Sequence, residues 1–461
     1  MKKFRFFLLL VIAITLVFSQ MSIVSAAEPI DEVRDLIGRY YVEEVPSSTL
    51  LKPAIKDITD ELDPYSVYMT KKEFDRFTNT INQELTGIGV VLEEHEQGVK
   101  IIQVISNGPA DQVGLLAGDI IINVNGVSLA GESVQTAASY IGGEAETSVS
   151  ISVLQQTAGS TLTKTIIRKK ISLQNIETKW LGGNIGYIRL NSFSMDAAVQ
   201  LQKAIQTLNG VKGFIFDLRN NGGGYVSTAQ EVLGLFPNAE LAFQLRDRNQ
   251  NPEIYKALKQ DIQFSKPVHV LVNKNSASAS EMVSASIKEQ NGAILYGQKT
   301  YGKGSMQSFF ILNDQSVLKL TTAKFYSPGG TEINHVGVTP NIVTETGEEL
   351  AISHKDHLLK AYSSYKKLPT LSEVPTTKTF TITMNINMDW NTVSMENIQL
   401  VHLGGQETEI TVQKLDERRI KVIPKKPLLP KEKYILLIHP NWKSKNNQIM
   451  KSGSYVEVSV K

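Results

Sequence analysis

The spacing of apolar positions changes along the chain and divides it into regions of different architecture. From 30 to about 84, Val33, Ile37, Leu50, Ile55, Ile58, Leu62, Phe74 and Phe77 recur at helical spacing. Asp63-Pro64 breaks the stretch, because the residue before a proline avoids the helical region. Thr70 stands three residues before Glu73, the spacing of a capping box that opens a helix. So small a helical unit buries little by itself. It is expected to pack on another domain, or on a second copy of the chain as a homodimer formed through these helices.

From 86 to 169 the period becomes that of strands, with β-branched runs at 99–104, 120–124 and 149–154 bounded by glycine or asparagine. Beyond Trp180, strands at 185–188, 213–218, 268–273 and 293–296 alternate with helices at 197–208 and 279–289. That is an α/β layout with a largely covered sheet. The stretch 367–377, with Pro369 and Pro375, reads as a linker. After it the pattern is strand-only, at 380–384, 398–402, 409–413, 420–423, 434–438 and 455–460, which predicts a β-sandwich over 378–461.

Length and composition agree with several domains. A chain of 461 residues exceeds one ordinary core, and 41% hydrophobic with 20% charged residues is a globular composition. A net charge of +2 argues against nucleic acid as the partner. The chain has no cysteine, which excludes disulfides, a thiol nucleophile and thiolate metal sites. At the N-terminus Lys2, Lys3 and Arg5 precede an apolar run over 6–18, and Ser25-Ala26-Ala27 follows. This is the order of a secretory signal peptide over 1–26, cleaved after Ala26. The body of the protein is then secreted or extracytoplasmic, associated with the cell surface, or membrane-anchored where the signal stays uncleaved.

Three runs bring candidate chemistry. NKNSASASE over 273–281 joins a buried strand to a helix and puts Ser278 at the helix N-terminus, where free N–H groups and the dipole favour developing negative charge. An ordinary N-cap serine is the competing reading of that segment alone. TYGKGSMQ over 300–307 frames Lys303 between glycines. Lysine acts as a general base when desolvation favours its neutral amine, and Gln307 would hold that amine if both lie on one helical turn. A surface lysine is the alternative. DLRNNGGG over 217–224 presents backbone N–H groups suited to an oxyanion hole, and lacks the ending of a phosphate loop. No Gly-x-Ser-x-Gly elbow or His-Glu-x-x-His helix is present, His269 reads as a core residue, and nothing in the spacing demands His335.

The order of these runs resembles the carboxyl-terminal processing peptidases, tail-specific serine proteases with a PDZ domain. LDPYS at 62–66, TGIGV at 86–90, KFYSPGG at 324–330 and GVTP at 337–340 extend the likeness over about 30–361. The resemblance implies Ser278 as nucleophile, Lys303 as base and Gln307 as its orienting partner. It implies oxyanion donors from the N–H of Ala279 and Gly223, with Gly224 as the other candidate, and no cofactor. GPA at 108–110, GLLAGD at 114–119 and VNG at 124–126 are similar to a PDZ domain over 86–169. Gly87, Ile88, Gly89 and Val90 would then bind substrate C-termini, peptide partners added as an edge strand. The family's pattern is departed from at Gly222, at Asn341 and over 141–147, which lacks an arginine. MDWNTV at 388–393 and LPKEKY at 429–434 resemble bacterial immunoglobulin-like modules, whose partners would be a cell-wall or surface component. The fold class expected is multidomain α+β: an N-terminal helical segment over 27–85, the PDZ domain, an α/β Ser-Lys peptidase domain over 170–366 and the C-terminal β-sandwich. Its expected function is secreted serine endopeptidase.

Overall fold

A computed structural model describes residues 29–156, 159–393 and 395–461. The signal peptide expected over 1–26 lies outside them. Among the described residues no helix is long and apolar enough to cross a membrane. The described residues form two compact units, one of 29–76 with 246–251 and 305–324, the other of the remaining described residues.

In the first unit the helix Ile30–Tyr40 turns Val33 and Ile37, four residues apart, to one buried face. They join Ile55 and Ile58 of the helix Ile55–Thr59, and Leu312, Leu318 and Leu320 of a later hairpin. The hairpin pairs the strands Ser305–Ile311 and Val317–Tyr326 antiparallel, and Val67–Met69 adds to it. The helical face therefore finds its apolar partner within the chain, in a segment more than 240 residues downstream by the Ser66 Oγ contact with the Thr321 N–H. The region is less helical than its spacing predicts, since Asp63 caps a turn by accepting from the Tyr65 N–H and the Ser66 hydroxyl. The capping box at Thr70 and Glu73 forms, its backbone and side-chain bonds running both ways.

In the second unit, the strands Val90–His95, Gly98–Val104, Ile120–Val124, Ser148–Leu154 and Thr161–Ile167 form an antiparallel sheet in that order. The helix Val134–Ile141 packs on its first strands. Alternate residues such as Val149, Ile151 and Val153 point inward and close a separate apolar core. A two-stranded ribbon, Glu84–Gly87 against Lys169–Ser172, carries the chain in and out.

A six-stranded sheet follows in the order Ile176–Leu181, Ile185–Leu190, Gly213–Asp217, Val268–Val272, Ile294–Gly297 and Ile342–Val343. Its first pair is antiparallel and the rest parallel. Gly213–Asp217 and Val268–Val272 are buried throughout, as parallel strands covered on both faces must be. Phe214 and Phe216 meet Phe236 and Phe264 on one face. On the other, Ile215 joins Leu358 of the helix Glu349–Ala361.

The last part of the chain forms two sheets. One orders Lys366–Lys367, Ser454–Val460, Lys433–Ile438, Ile398–His402 and Glu407–Thr408, and Leu371–Val374 also pairs with Ser454–Val460. The other orders Phe380–Thr383, Arg419–Pro424 and Ile410–Lys414. The two share one apolar cluster around Trp442. The stretch 367–377 is thus no linker. Two short strands in it lie against the strand Ser454–Val460, and a loop reading missed them because edge strands of this length carry no period.

Candidate active site

Ser278 caps the helix Ala279–Glu289 directly after the buried strand Val268–Val272. Its backbone lies at φ 56°, ψ −115°, outside the regions a serine ordinarily occupies. Such a conformation costs about 1–3 kcal/mol and persists where the surroundings impose it. They do so here. The Ala277 N–H donates to Asn221 O at 3.0 Å, and the Ser280 hydroxyl donates to the same carbonyl at 2.9 Å. Ser276 Oγ donates to Leu218 O at 2.8 Å, and the Ser278 N–H reaches Glu281 Oε2 at 3.0 Å. Ser278 itself is buried, 8% exposed.

The glycine loop lies against this turn. Gly223 has φ +104°, and a Cβ there would come within 2.8 Å of Ser278 Cβ and 3.0 Å of Ala279 N. Only glycine permits that approach. Asn221, fully buried, anchors the loop by donating to Leu190 O at 2.9 Å. Asp217 accepts from the Tyr187 hydroxyl at 2.8 Å and from Arg219, which also pairs with Glu349 at 2.9 Å. Burial and then the Asp217 charge push the Tyr187 hydroxyl well above its ordinary pKa, so it stays a donor. The Gly223 N–H, expected as an oxyanion donor, donates to Asn221 Oδ1 at 2.8 Å and is committed within its own loop. Ala279 is the first helical residue, so its N–H has no carbonyl to meet inside the helix.

The lysine turn is tied to the same place. The Tyr301 N–H donates to Ser276 O at 3.0 Å. The Lys303 N–H donates to Glu281 Oε2 at 2.8 Å, the oxygen that also accepts Ser278. Gly302 has φ +93°, and its carbonyl accepts the His335 N–H at 2.8 Å. Lys303 and Gln307 do not share a helical turn: 305–311 is the strand Ser305–Ile311, and Gln307 donates to Ser305 Oγ and Thr321 Oγ1. The helical reading failed because the strand begins just after Gly304, with a bulge between Met306 and Gln307.

The buried histidines lie elsewhere. His269 on Val268–Val272 and His357 on Glu349–Ala361 stack with ring centroids 3.5 Å apart. Burial lowers His269 to about 3 and His354 and His357 to about 4. His354 bridges Gly182 O at 2.8 Å and the Gly404 N–H at 3.0 Å. His335 is exposed. In the antiparallel module, the Gly87–Val90 segment leaves the ribbon and enters the first strand. Its Ile88 carbonyl accepts the Ala110 N–H at 2.8 Å, and Gly89 has φ +83°.

Sequence reasoning quoted Glu281 without giving it a role, and passed over Asn221. The signal for Glu281 was present: Ser278 with glutamate three residues on is the same capping-box spacing seen at Thr70.

A serine at a strained strand-to-helix turn, a glycine loop pressed on it and a lysine turn tethered beside it make up the candidate site. The model of peptidase family S41 matches residues 184–344, and that of the PDZ domain matches 86–174. Two carboxy-terminal processing proteases of Bacillus subtilis are similar. CtpA is 32% identical over 72% of this chain and 72% of its own, and CtpB is 32% identical over 69% and 67%. The carboxy-terminal-processing protease of Bartonella bacilliformis is 31% identical over 68% of this chain and 74% of its own. The chain belongs to the carboxy-terminal processing proteases of peptidase family S41, and is a serine-type endopeptidase with a PDZ domain.

Proposed function

We propose that the protein cleaves polypeptides outside the cytoplasm through an acyl-enzyme formed on Ser278, with Lys303 as general base. The observation that carries this reading is the shared tether: one carboxylate oxygen accepts both the Ser278 and the Lys303 N–H. In this scheme the neutral amine of Lys303 takes the Ser278 proton as Oγ attacks the scissile carbonyl, the amine leaving group takes a proton, and water then releases the acyl group. The Ala279 N–H is the oxyanion donor the helix start favours, and a glycine of the 222–224 loop is the second. Gly223 serves once its N–H exchanges Asn221 for the oxyanion. Gln307 belongs to the same proposal as the residue that orients the lysine. Replacement of Ser278 or Lys303 by alanine should each abolish cleavage of an unfolded substrate protein, and the double variant should be no worse, because the pair acts as a unit. Substantial cleavage by Lys303→Ala would remove the lysine from the mechanism.

The PDZ domain recruits substrates by their free C-termini at Gly87, Ile88, Gly89 and Val90. A free carboxylate adds charge-assisted hydrogen bonds of about 1.5–3 kcal/mol, on the order of 10–100-fold in affinity. Equal binding of free and amidated peptides would count against it. The leading 1–26 directs export, and the C-terminal sheets form an immunoglobulin-like sandwich facing a cell-wall or surface component.

A further inference from the structure

Glu281 is a buried acid that the reaction scheme leaves without a task. It lies in the first turn of the helix Ala279–Glu289 and is fully buried. Oε1 accepts Thr300 Oγ1 at 2.6 Å and the Gly302 N–H at 2.7 Å. Oε2 accepts the Lys303 N–H at 2.8 Å and the Ser278 N–H at 3.0 Å. Three of the four partners are backbone N–H groups, which can only donate, and both partners of Oε2 are of this kind, so the surroundings favour the ionised carboxylate. Burial raises its pKa above the ordinary carboxylate value, and the hydrogen bonds from Thr300, Gly302, Ser278 and Lys303 oppose that rise without cancelling it. A buried ion is a poor source of stability compared with an apolar side chain of similar volume.

We propose that Glu281 is the positioning residue of this peptidase, a single carboxylate that holds the nucleophile turn in its strained form and fixes the lysine turn against it. Two facts make the role specific. The unusual φ and ψ of Ser278 aim its N–H at Glu281, so the bond supports the strained conformation directly. The segment 301–304 has no regular secondary structure, so the place of Lys303 depends on such tethers, and Glu281 supplies them at both Gly302 and Lys303. A misplacement of about 1 Å between reacting groups lowers a rate by about 100-fold. The proposal rests on the reading of Ser278 and Lys303 as nucleophile and base.

Glu281→Gln keeps the shape but turns one accepting oxygen into an amide that faces two donors. The full chain and this variant are compared for kcat and KM on an unfolded substrate protein, for the rate of Ser278 labelling by a fluorophosphonate, and for thermal midpoint. Expected are a fall of about 100-fold in kcat and in labelling, KM within about threefold, and a folded protein. A fall in kcat of less than about tenfold overturns the proposal, and so does a loss in which KM rises in step. If Glu281→Gln fails to fold, Thr300→Val decides. It removes one donor and leaves the charge, so labelling per folded molecule should fall by about tenfold, and a fall below about threefold overturns the proposal. Ser278→Ala and Lys303→Ala are run beside them: activity surviving there overturns the dyad itself, whereas their inactivity beside an active Glu281→Gln overturns positioning alone.

Discussion

The PDZ domain and the C-terminal sheets flank the peptidase sheet in sequence, yet they are attached to it in opposite ways. The PDZ strands send alternate residues into a core of their own, in which Val99, Ile121 and Ile151 meet Leu115 and Ile141. The ribbon Glu84–Gly87 with Lys169–Ser172 makes its covalent connection. The C-terminal strands have two buried faces. On Lys433–Ile438, Tyr434, Leu436 and Ile438 enter the cluster between the two C-terminal sheets. Ile435 and Leu437 enter a second cluster with Leu181, Ile215, Leu271 and Leu358 of the peptidase. Ile398–His402 does the same, with Ile398 and Leu400 on one side and Val401 on the other. A region with a private core folds and moves as a module; a region whose strands complete another domain's core is part of that domain.

The sharpest way to break this contrast is deletion. Removal of 367–461 strips Val401, Leu403, Ile435 and Leu437 from the peptidase cluster, and the remaining chain should lose cooperative thermal unfolding and all cleavage. Excision of 88–168, joining the two ribbon strands by a short turn, should leave a peptidase that still melts cooperatively. A stable, cooperative protein after the first deletion would show the C-terminal sheets to be an appended module after all.

Single substitutions sharpen it further. Leu437→Ala and Ile151→Ala each remove a buried aliphatic group and should each cost about 2–5 kcal/mol. Calorimetry should show the first lowering the transition of the peptidase, and the second lowering the PDZ transition alone. Acid should separate the regions as well. Among the described residues the buried histidines, His269, His354 and His357, line the peptidase side of the join. Their folded pKa values of about 3 to 4 lie below the ordinary value of 6.5. The unfolded chain takes up protons there first, so stability is full above pH 6.5 and falls as pH drops towards 4, by up to about 1.4 kcal/mol per unit per histidine. The peptidase midpoint should fall over that window and recover on return to neutral pH.

The smallest effect belongs inside the PDZ domain. Arg168 donates to Ile141 O at 2.8 Å, Tyr140 O at 3.1 Å and Ser148 O at 3.0 Å, closing the end of the helix Val134–Ile141. Arg168→Lys keeps the charge and loses the fork, which should cost about 1–2 kcal/mol. Faster hydrogen exchange over 140–148 with an unchanged peptidase midpoint would report it.

Much of this was legible in the residues. The helix over 279–289 and the strands over 120–124 and 398–402 were read with the bounds they have, because each is long enough for its period and each is punctuated by glycine, serine or asparagine. The doubly buried strand was half legible. Tyr434-Ile435-Leu436-Leu437-Ile438 has no polar alternation, the mark of a strand covered on both faces, and the sandwich reading did not ask what covered the second. The strands at 366–367 and 371–374 were not legible, since their pairing with Ser454–Val460 joins residues some 87 positions apart.

By itself the sequence determined what depends on neighbours along the chain: the alternation of strand and helix, the caps, the glycines at turns, and the serine, lysine and glycine runs that mark the family. The tertiary structure alone decided the relations among them. Capping-box spacing accounts for the Ser278 N–H on Glu281, but nothing local brings the Lys303 N–H to the same oxygen. Periodicity is a property of short segments, set by 3.6 or 2 residues per repeat. A buried carboxylate must instead find its donors wherever packing brings them, so beside the local Ser278 N–H its other three partners, Thr300, Gly302 and Lys303, lie 19 to 22 residues away and off its own helix.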